Sequence, residues 1–313
     1  MAGNGNWGIL GGGFGLYGYL PALVDSGEGN VWMAARYKAQ LENRPELSRY
    51  RDRVRWAASA EEIIRCADSL VFAIPPKAQQ ELIAGIPPHK TYQSIVLEKP
   101  VATTPAYAEM TLRETVAKAG KVRVGFTFQH ASWSGSAAAA IASAKTGHFT
   151  IHWRFMADHF DRKIITWKAD HGSGGGALRF YGIQLLALIA HLFPDAAVVQ
   201  SRLDYNSAVA AGRWRAQFQT ISGVILEVEV DSFCKLRCFE IWADGPKRAP
   251  ILVMDDPFAQ EQRAQNRDRR IEPLKELLTT FQEENEAYYD LYGRVNDLWF
   301  AVEQSTTNLR ETK

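Results

Sequence analysis

The sequence predicts an α/β protein whose first half is a doubly wound parallel sheet, and three observations predict it. Short apolar runs alternate with helix-like stretches as far as about residue 128. Those runs are apolar throughout, the pattern of parallel strands covered on both faces. A glycine cluster directly follows the first of them: GILGGGFGLYGYLPAL spans Gly8 to Leu23, with glycines at 11, 12, 13, 15 and 18. The 313 residues, at a soft prior of ~150 per domain, predict two domains, divided here as 1–128 and 129–313.

The elements follow in order. Trp7–Leu10 is a short strand that stops at glycine, and the helix after it ends over Pro21–Ser26. Val31–Ala35 and Val54–Ala57 are further strands. Ser59 followed by Glu61 and Glu62 reads as an N-cap with acids in the first turn. Ser69–Ile74 stops at Pro75-Pro76, and Ser94–Leu97 is the next strand. Thr104–Ala119 has helical spacing, opened by Pro105 and closed by Gly120. Val122–Phe128 closes the series. In the second half, Gly147–Met156 reads as an aromatic-rich strand and Gly174–Leu192 as a helix after a glycine turn. Val198–Leu203, Trp214–Thr220, Val224–Asp231 and Leu236–Ala243 read as strands, and Leu274–Gln304 as helical.

Glycines that leave a strand and open a helix let backbone N–H groups approach a pyrophosphate. Two frames fit. Gly13-x-Gly15-x-x-Gly18 is the literal pattern. A turn that starts at Gly11 stays next to the strand and is preferred. Gly11 and Gly13 then serve the turn, and Leu16 stands where a small residue usually permits close helix packing. Gly11, Gly12, Gly13, Phe14 and Gly15 are the cofactor-binding candidates here, with Ile74, Pro75 and Gln79 after the fourth strand. An acid at the end of the second strand would hold the ribose 2′-OH of NAD. The chain has Ala34-Ala35-Arg36-Tyr37-Lys38 instead. Arg36 suits a 2′-phosphate, with Lys38 adding charge, so NADP is expected, with NAD as the alternative cofactor. The plainer reading of Arg36 is a surface arginine.

Composition sets exclusions. A net charge of +1 argues against a nucleic-acid or anionic-membrane footprint. The basic cluster Arg263, Arg267, Arg269 and Arg270 is mixed with Glu261 and Asp268 and reads as a solvated loop or helix face. Three cysteines, Cys66, Cys234 and Cys238, suit a reducing cytoplasm and packing roles. No histidine or second cysteine pair stands at zinc spacing, so no metal is expected. No signal peptide is read at the N-terminus, and no apolar run approaches the ~20 residues of a membrane span.

Glu98-Lys99-Pro100 ends the SIVL strand. Pro100 cannot donate to a ladder, so Lys99 stands at the strand's carboxyl edge, where its charge can hold a hydroxyl or carbonyl or help move a proton. With GILGGGFG, LPAL, AIPPKAQ, EKPVATT, VGFTFQ, Trp167-Lys168 and SGGGALRFYGIQLLAL in that order, the chain resembles the glucose–fructose oxidoreductase/inositol dehydrogenase (Gfo/Idh/MocA) family over nearly its whole length. The resemblance implies a Rossmann domain followed by an α/β domain with an open, mostly antiparallel sheet. It also implies hydride transfer between NAD(P) and a sugar or polyol carbon, and a homo-oligomer, dimer or tetramer, formed through the second sheet. It places Glu98, Lys99, Gln129, Trp167 and Lys168 near cofactor or substrate.

The departures narrow the chemistry. Where the family usually presents an aspartate and then a histidine, this chain has Phe180 and Gln184, and a later aspartate position holds Ala187. Gln79 and Tyr19 stand at two further histidine positions, and Gln129 at an arginine position. Glutamine orients by hydrogen bonds but does not titrate. Reduction of a carbonyl or imine needs only a proton donor, so a cytoplasmic NADPH-dependent reductase of a keto-sugar, carbonyl or imine is expected. Lys99 would polarise the acceptor, Gln184 would orient it, and Tyr181 or His171 would give the proton, with His159 and His191 as further candidates. The same departures leave open a non-catalytic relative that binds dinucleotide or sugar as a sensor or assembly partner. A hydrolase or lyase using bound NAD is the third reading.

Overall fold

The structure is a computed structural model that describes residues 5–144, 147–245, 247–259 and 267–310. Glu261 and Arg263 of the basic cluster lie outside them. The strands are β1 (Trp7–Leu10), β2 (Val31–Ala34), β3 (Val54–Ala57), β4 (Ser69–Phe72), β5 (Tyr92–Leu97), β6 (Ala119–Val124), β7 (His148–Met156), β8 (Ala197–Tyr205), β9 (Ala211–Gln219), β10 (Ile225–Asp231), β11 (Phe233–Ala243), β12 (Ala249–Met254) and β13 (Thr306–Arg310). The α-helices are α1 (Leu20–Asp25), α2 (Lys38–Glu42), α3 (Ala60–Cys66), α4 (Pro76–Ala84), α5 (Pro105–Val116), α6 (Ser134–Ser143), α7 (Asp158–Asp161), α8 (Ile183–Leu192), α9 (Ile271–Thr279) and α10 (Glu286–Ser305).

Two compact units form. The first holds the chain up to Ala102, Glu109–His130, and a returning segment that carries α9 and ends at Tyr288. Its sheet is wholly parallel, in the order β3-β2-β1-β4-β5-β6. β1 and β4 are buried at every residue, as their unbroken apolar runs require. Strand order reverses at β1, so a crevice opens beyond the carboxyl ends of β1 and β4, the place where such sheets bind ligands. Ile9, Leu16, Leu23, Met33, Val71 and Val96 form the core on one face, and α9 adds Ile271, Leu274 and Leu277. Each fully buried aliphatic side chain stabilises by about 2 kcal/mol, so the returning helix is a substantial part of this core.

The helical stretch expected over Leu274–Gln304 consists of two helices, α9 and α10. Arg123, fully buried on β6, ends the first of them. Its guanidinium donates to the Thr280 carbonyl at 2.7 Å, to Thr280 Oγ1 at 2.9 Å and to Asn285 Oδ1 at 3.0 Å. A cation on the last carbonyls of a helix satisfies them and complements the helix dipole. The expected strand over Val122–Phe128 also stops early, at Val124. Gly125 N–H still bonds the Leu97 carbonyl at 2.8 Å, and the chain then turns through Thr127–His130. The basic cluster is not a solvated face. Arg267 pairs with Asp25, and Arg270 holds Asp268 through two hydrogen bonds of 2.9 and 2.7 Å.

The second unit holds Thr103–Ala108, the chain from Ala131 up to the returning segment, and the chain from Tyr289 onward. Its sheet runs β12-β11-β7-β10-β9-β8-β13. Four pairings are antiparallel, and β7–β10 and β8–β13 are parallel, so the sheet is open and mostly antiparallel. β12 and β13 extend it beyond the strands predicted from sequence. α8 is buried along nearly its whole length. Gly182, just before it, faces the ring of Trp214 so closely that a Cβ would stand 2.6 Å from it. One helical stretch among the described residues, His171–Leu192, is long and apolar enough to cross a membrane by length and composition; 72% of its apolar window is buried inside the fold, as in a core helix.

Candidate active site

Register places four sequence motifs side by side at one edge of the first sheet. Leu10 pairs with Phe72 and Phe72 with Leu97. The glycine turn, Ala73-Ile74-Pro75 and Glu98-Lys99 therefore leave the sheet next to one another. Gln129 follows β6 on the same edge, since β6 runs parallel to β5.

The glycine turn starts at Gly11. Its φ is +128°, and a Cβ there would stand 2.1 Å from the Ala73 carbonyl oxygen. Only glycine accepts both conditions. Gly15 gives the close approach between turn and strand, where a Cβ would stand 2.7 Å from the Ile9 side chain. Leu16 itself is a core residue with no exposure, so close packing comes from Gly15 and not from position 16. A Cβ at Gly13 would meet nothing within 4 Å. The turn is thus closed against its own sheet and open toward the crevice. Tyr37 lies over Gly12, and Arg36 stacks on the Tyr37 ring at 4.9 Å and donates to its hydroxyl at 3.0 Å. Arg36 is exposed, just past the end of β2.

The Glu98-Lys99-Pro100 loop is clamped by Gln79. This buried amide donates to the Glu98 carbonyl at 3.1 Å and the Val101 carbonyl at 2.7 Å, and accepts from Glu98 N–H at 3.2 Å. Its place on α4 thus serves loop geometry. The Lys99–Pro100 bond is cis. Tyr19 donates its hydroxyl to Glu98 Oε1 at 2.6 Å. Gly125 leaves room for this pair, because a Cβ there would stand 2.6 Å from Glu98 Oε1 and 2.8 Å from the Tyr19 oxygen. Burial raises the Glu98 pKa above its ordinary value, against the opposing pull of Lys99, Tyr19 and Arg270. Lys99 is half-buried beside it.

Sequence reasoning missed Arg270. Its guanidinium lies 4.1 Å from the Phe14 ring centre and 5.9 Å from that of Tyr17. Burial pushes the Asp268 carboxyl up, but the hydrogen bonds and charge of Arg270 outweigh it and hold it below the usual carboxylate range. Phe14 also packs edge-on against Tyr19 at 5.3 Å. A packed series therefore connects the glycine turn to Glu98. The sequence marks Arg270 only as part of a basic cluster, because Phe14 is 256 residues away.

The remaining candidates belong to the second unit. Trp167 meets Phe180 edge-on at 5.3 Å, and Lys168 Nζ lies 5.4 Å from the Phe180 ring centre. Tyr181 sits among Phe180, Phe155 and Trp153 at 4.7, 4.8 and 5.6 Å. Gln184 and Ala187 are buried on α8. His171 is held in a network: its Nε2 lies 3.7 Å from Glu303, which also takes two hydrogen bonds from Arg179, at 2.6 and 3.0 Å, and one from Trp299 at 3.0 Å. Burial raises the Glu303 carboxyl, but His171 and Arg179 overcome this and bring it down to about 2. Burial lowers the His159 and His191 pKa values, with Lys168 and Arg294 adding to the effect. Among the described residues no three His, Cys, Asp or Glu side chains gather as a metal site.

No family model matches the chain, and no curated protein matches it by sequence. Solved structures do match over nearly its whole length. KijD10, a 3-ketoreductase from Actinomadura kijaniata crystallised with NADP and TDP-benzene, is 14% identical with a TM-score of 0.72, and the match covers 99% of this chain and 100% of that one. GenD2 from gentamicin A biosynthesis, in complex with NAD, is 15% identical with a TM-score of 0.72, covering 97% and 95%. An oxidoreductase from Thermotoga maritima is 16% identical with a TM-score of 0.71, covering 97% of each chain. At these identities the likeness is one of fold: a parallel six-stranded sheet with flanking helices, and a second mixed sheet.

Proposed function

We propose that the protein is an NAD(P)-dependent oxidoreductase that works as an NADPH-dependent reductase of a carbonyl or imine, with a keto-sugar, nucleotide-linked or free, as the favoured substrate. One observation carries the reading. The open glycine turn and Lys99 leave the same edge of one parallel sheet, where a dinucleotide and an acceptor would meet. The residues fit the cofactor: Gly13 presents backbone with no side chain in front of it, and Gly11 holds the turn in a conformation closed to other residues. Gly11, Gly12, Gly13, Phe14 and Gly15 would hold the pyrophosphate, Arg36 the 2′-phosphate, and Ile74, Pro75, Glu98 and Gln129 the nicotinamide half. Bound there, NADPH supplies the hydride.

The chain's own residues supply the rest. Lys99 donates a hydrogen bond to the acceptor atom and polarises it. Glu98, kept in place by Tyr19 and the Gln79 clamp, sets the charge beside Lys99. In the second unit, the family resemblance keeps Tyr181 as the candidate proton donor and Trp167, Lys168 and Gln184 as candidates for substrate positioning. His171 is engaged with Glu303 and we leave it out of the catalytic set. KijD10 and GenD2, crystallised with NADP and NAD, support the cofactor, and the 3-ketoreductase activity of KijD10 supports a keto-sugar.

The test is a side-by-side fluorescence titration with NADPH and NADH, read by energy transfer from the nine tryptophans. Tighter NADPH binding supports the reading. Tighter NADH binding keeps the oxidoreductase and removes Arg36 from it, and binding of neither overturns it. A Lys99→Ala variant that keeps full turnover removes the role of Lys99. The buried Gln184 and Ala187, at positions where an acid and a base are usual, favour one second reading: a non-catalytic dinucleotide binder. Cofactor binding with no turnover on ketones, imines or sugars would select it.

A further inference from the structure

The second unit carries a cavity of about 710 Å³, within the range of about 300–1,000 Å³ typical of small-molecule sites. The chain after β7, the tip of the β8–β9 hairpin and the start of β11 line it. Three rings face it: Phe160, Trp167 and Phe233. Phe160 and Phe233 meet edge-on at 5.2 Å. His159 lines it too, is only 7% exposed, and its Nε2 has no hydrogen-bond partner. Burial, with the nearby charge of Lys168, keeps that imidazole neutral at physiological pH. A buried polar atom without a partner is uncommon in a folded protein and marks a place where a partner belongs.

The polar groups define the ligand. Lys163 lines the cavity and makes no ion pair among the described residues. Asp170 is the one carboxylate in the lining, and both its oxygens are engaged, by Gly172 N–H at 3.0 Å and by the Ser173 hydroxyl. A bare sugar needs acceptors for several hydroxyls, and this cavity offers one carboxylate, already part-engaged, against three aromatic rings. Flat apolar rings, one buried imidazole nitrogen, the exposed amide of Asn206 and a single cation suit an aromatic heterocycle with an anionic tail. A base has a π-face for the rings and donors and acceptors on its edge.

We propose that this cavity seats the base and phosphates of a nucleotide-linked substrate, the rings stacking on the base, His159 Nε2 bonding its edge and Lys163 meeting the phosphates. The inference rests on the reductase reading and names the handle by which such a substrate would be held. It gives Trp167 a binding role and explains a buried histidine that the proposed catalysis does not use.

The experiment uses the full chain with uridine diphosphate and thymidine diphosphate as probes, without any sugar. Histidine ring signals are followed by NMR, with a His159→Gln variant to assign one of the seven. We expect saturable binding that moves the His159 signal. We expect Phe233→Ala and Lys163→Met, both surface changes, each to weaken it about tenfold while leaving NADPH binding unaltered. No movement of the His159 signal at saturating diphosphate overturns the proposal. So does binding that both variants leave unchanged, which would place the diphosphate at the glycine turn. Tight binding of anilinonaphthalene sulfonate that neither diphosphate displaces also overturns it, and assigns the cavity to apolar anions. NADPH is titrated separately. Binding of NADPH without diphosphate removes the seat and keeps the reductase, whereas diphosphate at His159 without NADPH binding removes the reductase and keeps the seat.

Discussion

Two buried carboxylates, Glu98 in the first unit and Glu303 in the second, are treated in opposite ways. In the first, Glu98 accepts the Tyr19 hydroxyl beside half-buried Lys99, and burial pushes its carboxyl up. In the second, Glu303 is saturated by Arg179, His171 and Trp299, and Glu229 by Arg154 and Arg213. A carboxylate held well down by two cations is locked in one protonation state, while a raised one is poised to change. Of these two sites, the one at Glu98 is suited to proton and charge chemistry. In the second, saturated networks fix architecture, and aromatic side chains supply binding surface.

The largest effect that would sharpen this contrast is expected at the turn. Gly11→Ala forces a Cβ into the Ala73 carbonyl and a side chain into positive φ. A loss of about 4 kcal/mol is expected, seen as a lower denaturant midpoint at unchanged slope. Gly13→Ala meets no neighbour. It should leave stability within about 0.5 kcal/mol yet weaken NADPH binding at least tenfold in the fluorescence titration. Equal effects at the two positions would mean that the turn is not open as described.

In the second unit the comparison is tested at Glu303. Its folded pKa of about 2 lies below the ordinary 4.5. A depressed carboxyl contributes stability that is present above the unfolded value and lost as pH falls through the folded one. The contribution is about 3 kcal/mol at pH 7 and disappears between about pH 5 and 2. Urea melts of Glu303→Gln against the wild type should show that gap at pH 7 and only a small one at pH 2.5. A gap that does not depend on pH would show that the network is not electrostatic.

Arg36 comes next. Arg36→Asp removes a bidentate donor and adds an acid suited to a free ribose 2′-OH. The NADPH/NADH preference should fall about a hundredfold, near 2.7 kcal/mol, with thermal stability unaltered because the residue is exposed. An unchanged preference would confine the specificity to other residues.

Much of the first unit was legible in sequence because its signals are local. Unbroken apolar runs ending at Gly11, Pro75 and Pro100 fix each strand's carboxyl end, and parallel order then brings the motifs to one edge. What was not legible is carried by distant residues. Arg123 splitting the terminal helix and Arg270 over Phe14 depend on a segment returning across more than a hundred residues. The basic cluster read as solvated because its partner Asp25 is 242 residues from Arg267. In the second unit the strands were legible, but the edge strands β12 and β13 were not. β12 is an apolar run, APILVM, that carries Pro250 and is largely exposed or half-buried, and β13 is a short polar stretch, TTNLR, that no apolar run announces.

The smallest effect tests whether Glu98 is poised. Tyr19 donates to its Oε1 at 2.6 Å, and burial raises its pKa above 4.5. A carboxyl raised in the folded state favours folding at low pH, and stability falls as pH climbs from 4.5 through the folded value. The tyrosine hydroxyl opposes that fall, because a hydrogen bond to a charged acceptor is worth more than one to a neutral acid. Tyr19→Phe should therefore lose about 1 kcal/mol at pH 4 and about 2 kcal/mol at pH 8. Guanidinium melts at the two pH values read the difference directly. If the loss is the same at both, Glu98 does not change charge across that range, and its contrast with the saturated Glu303 fails at its most sensitive point.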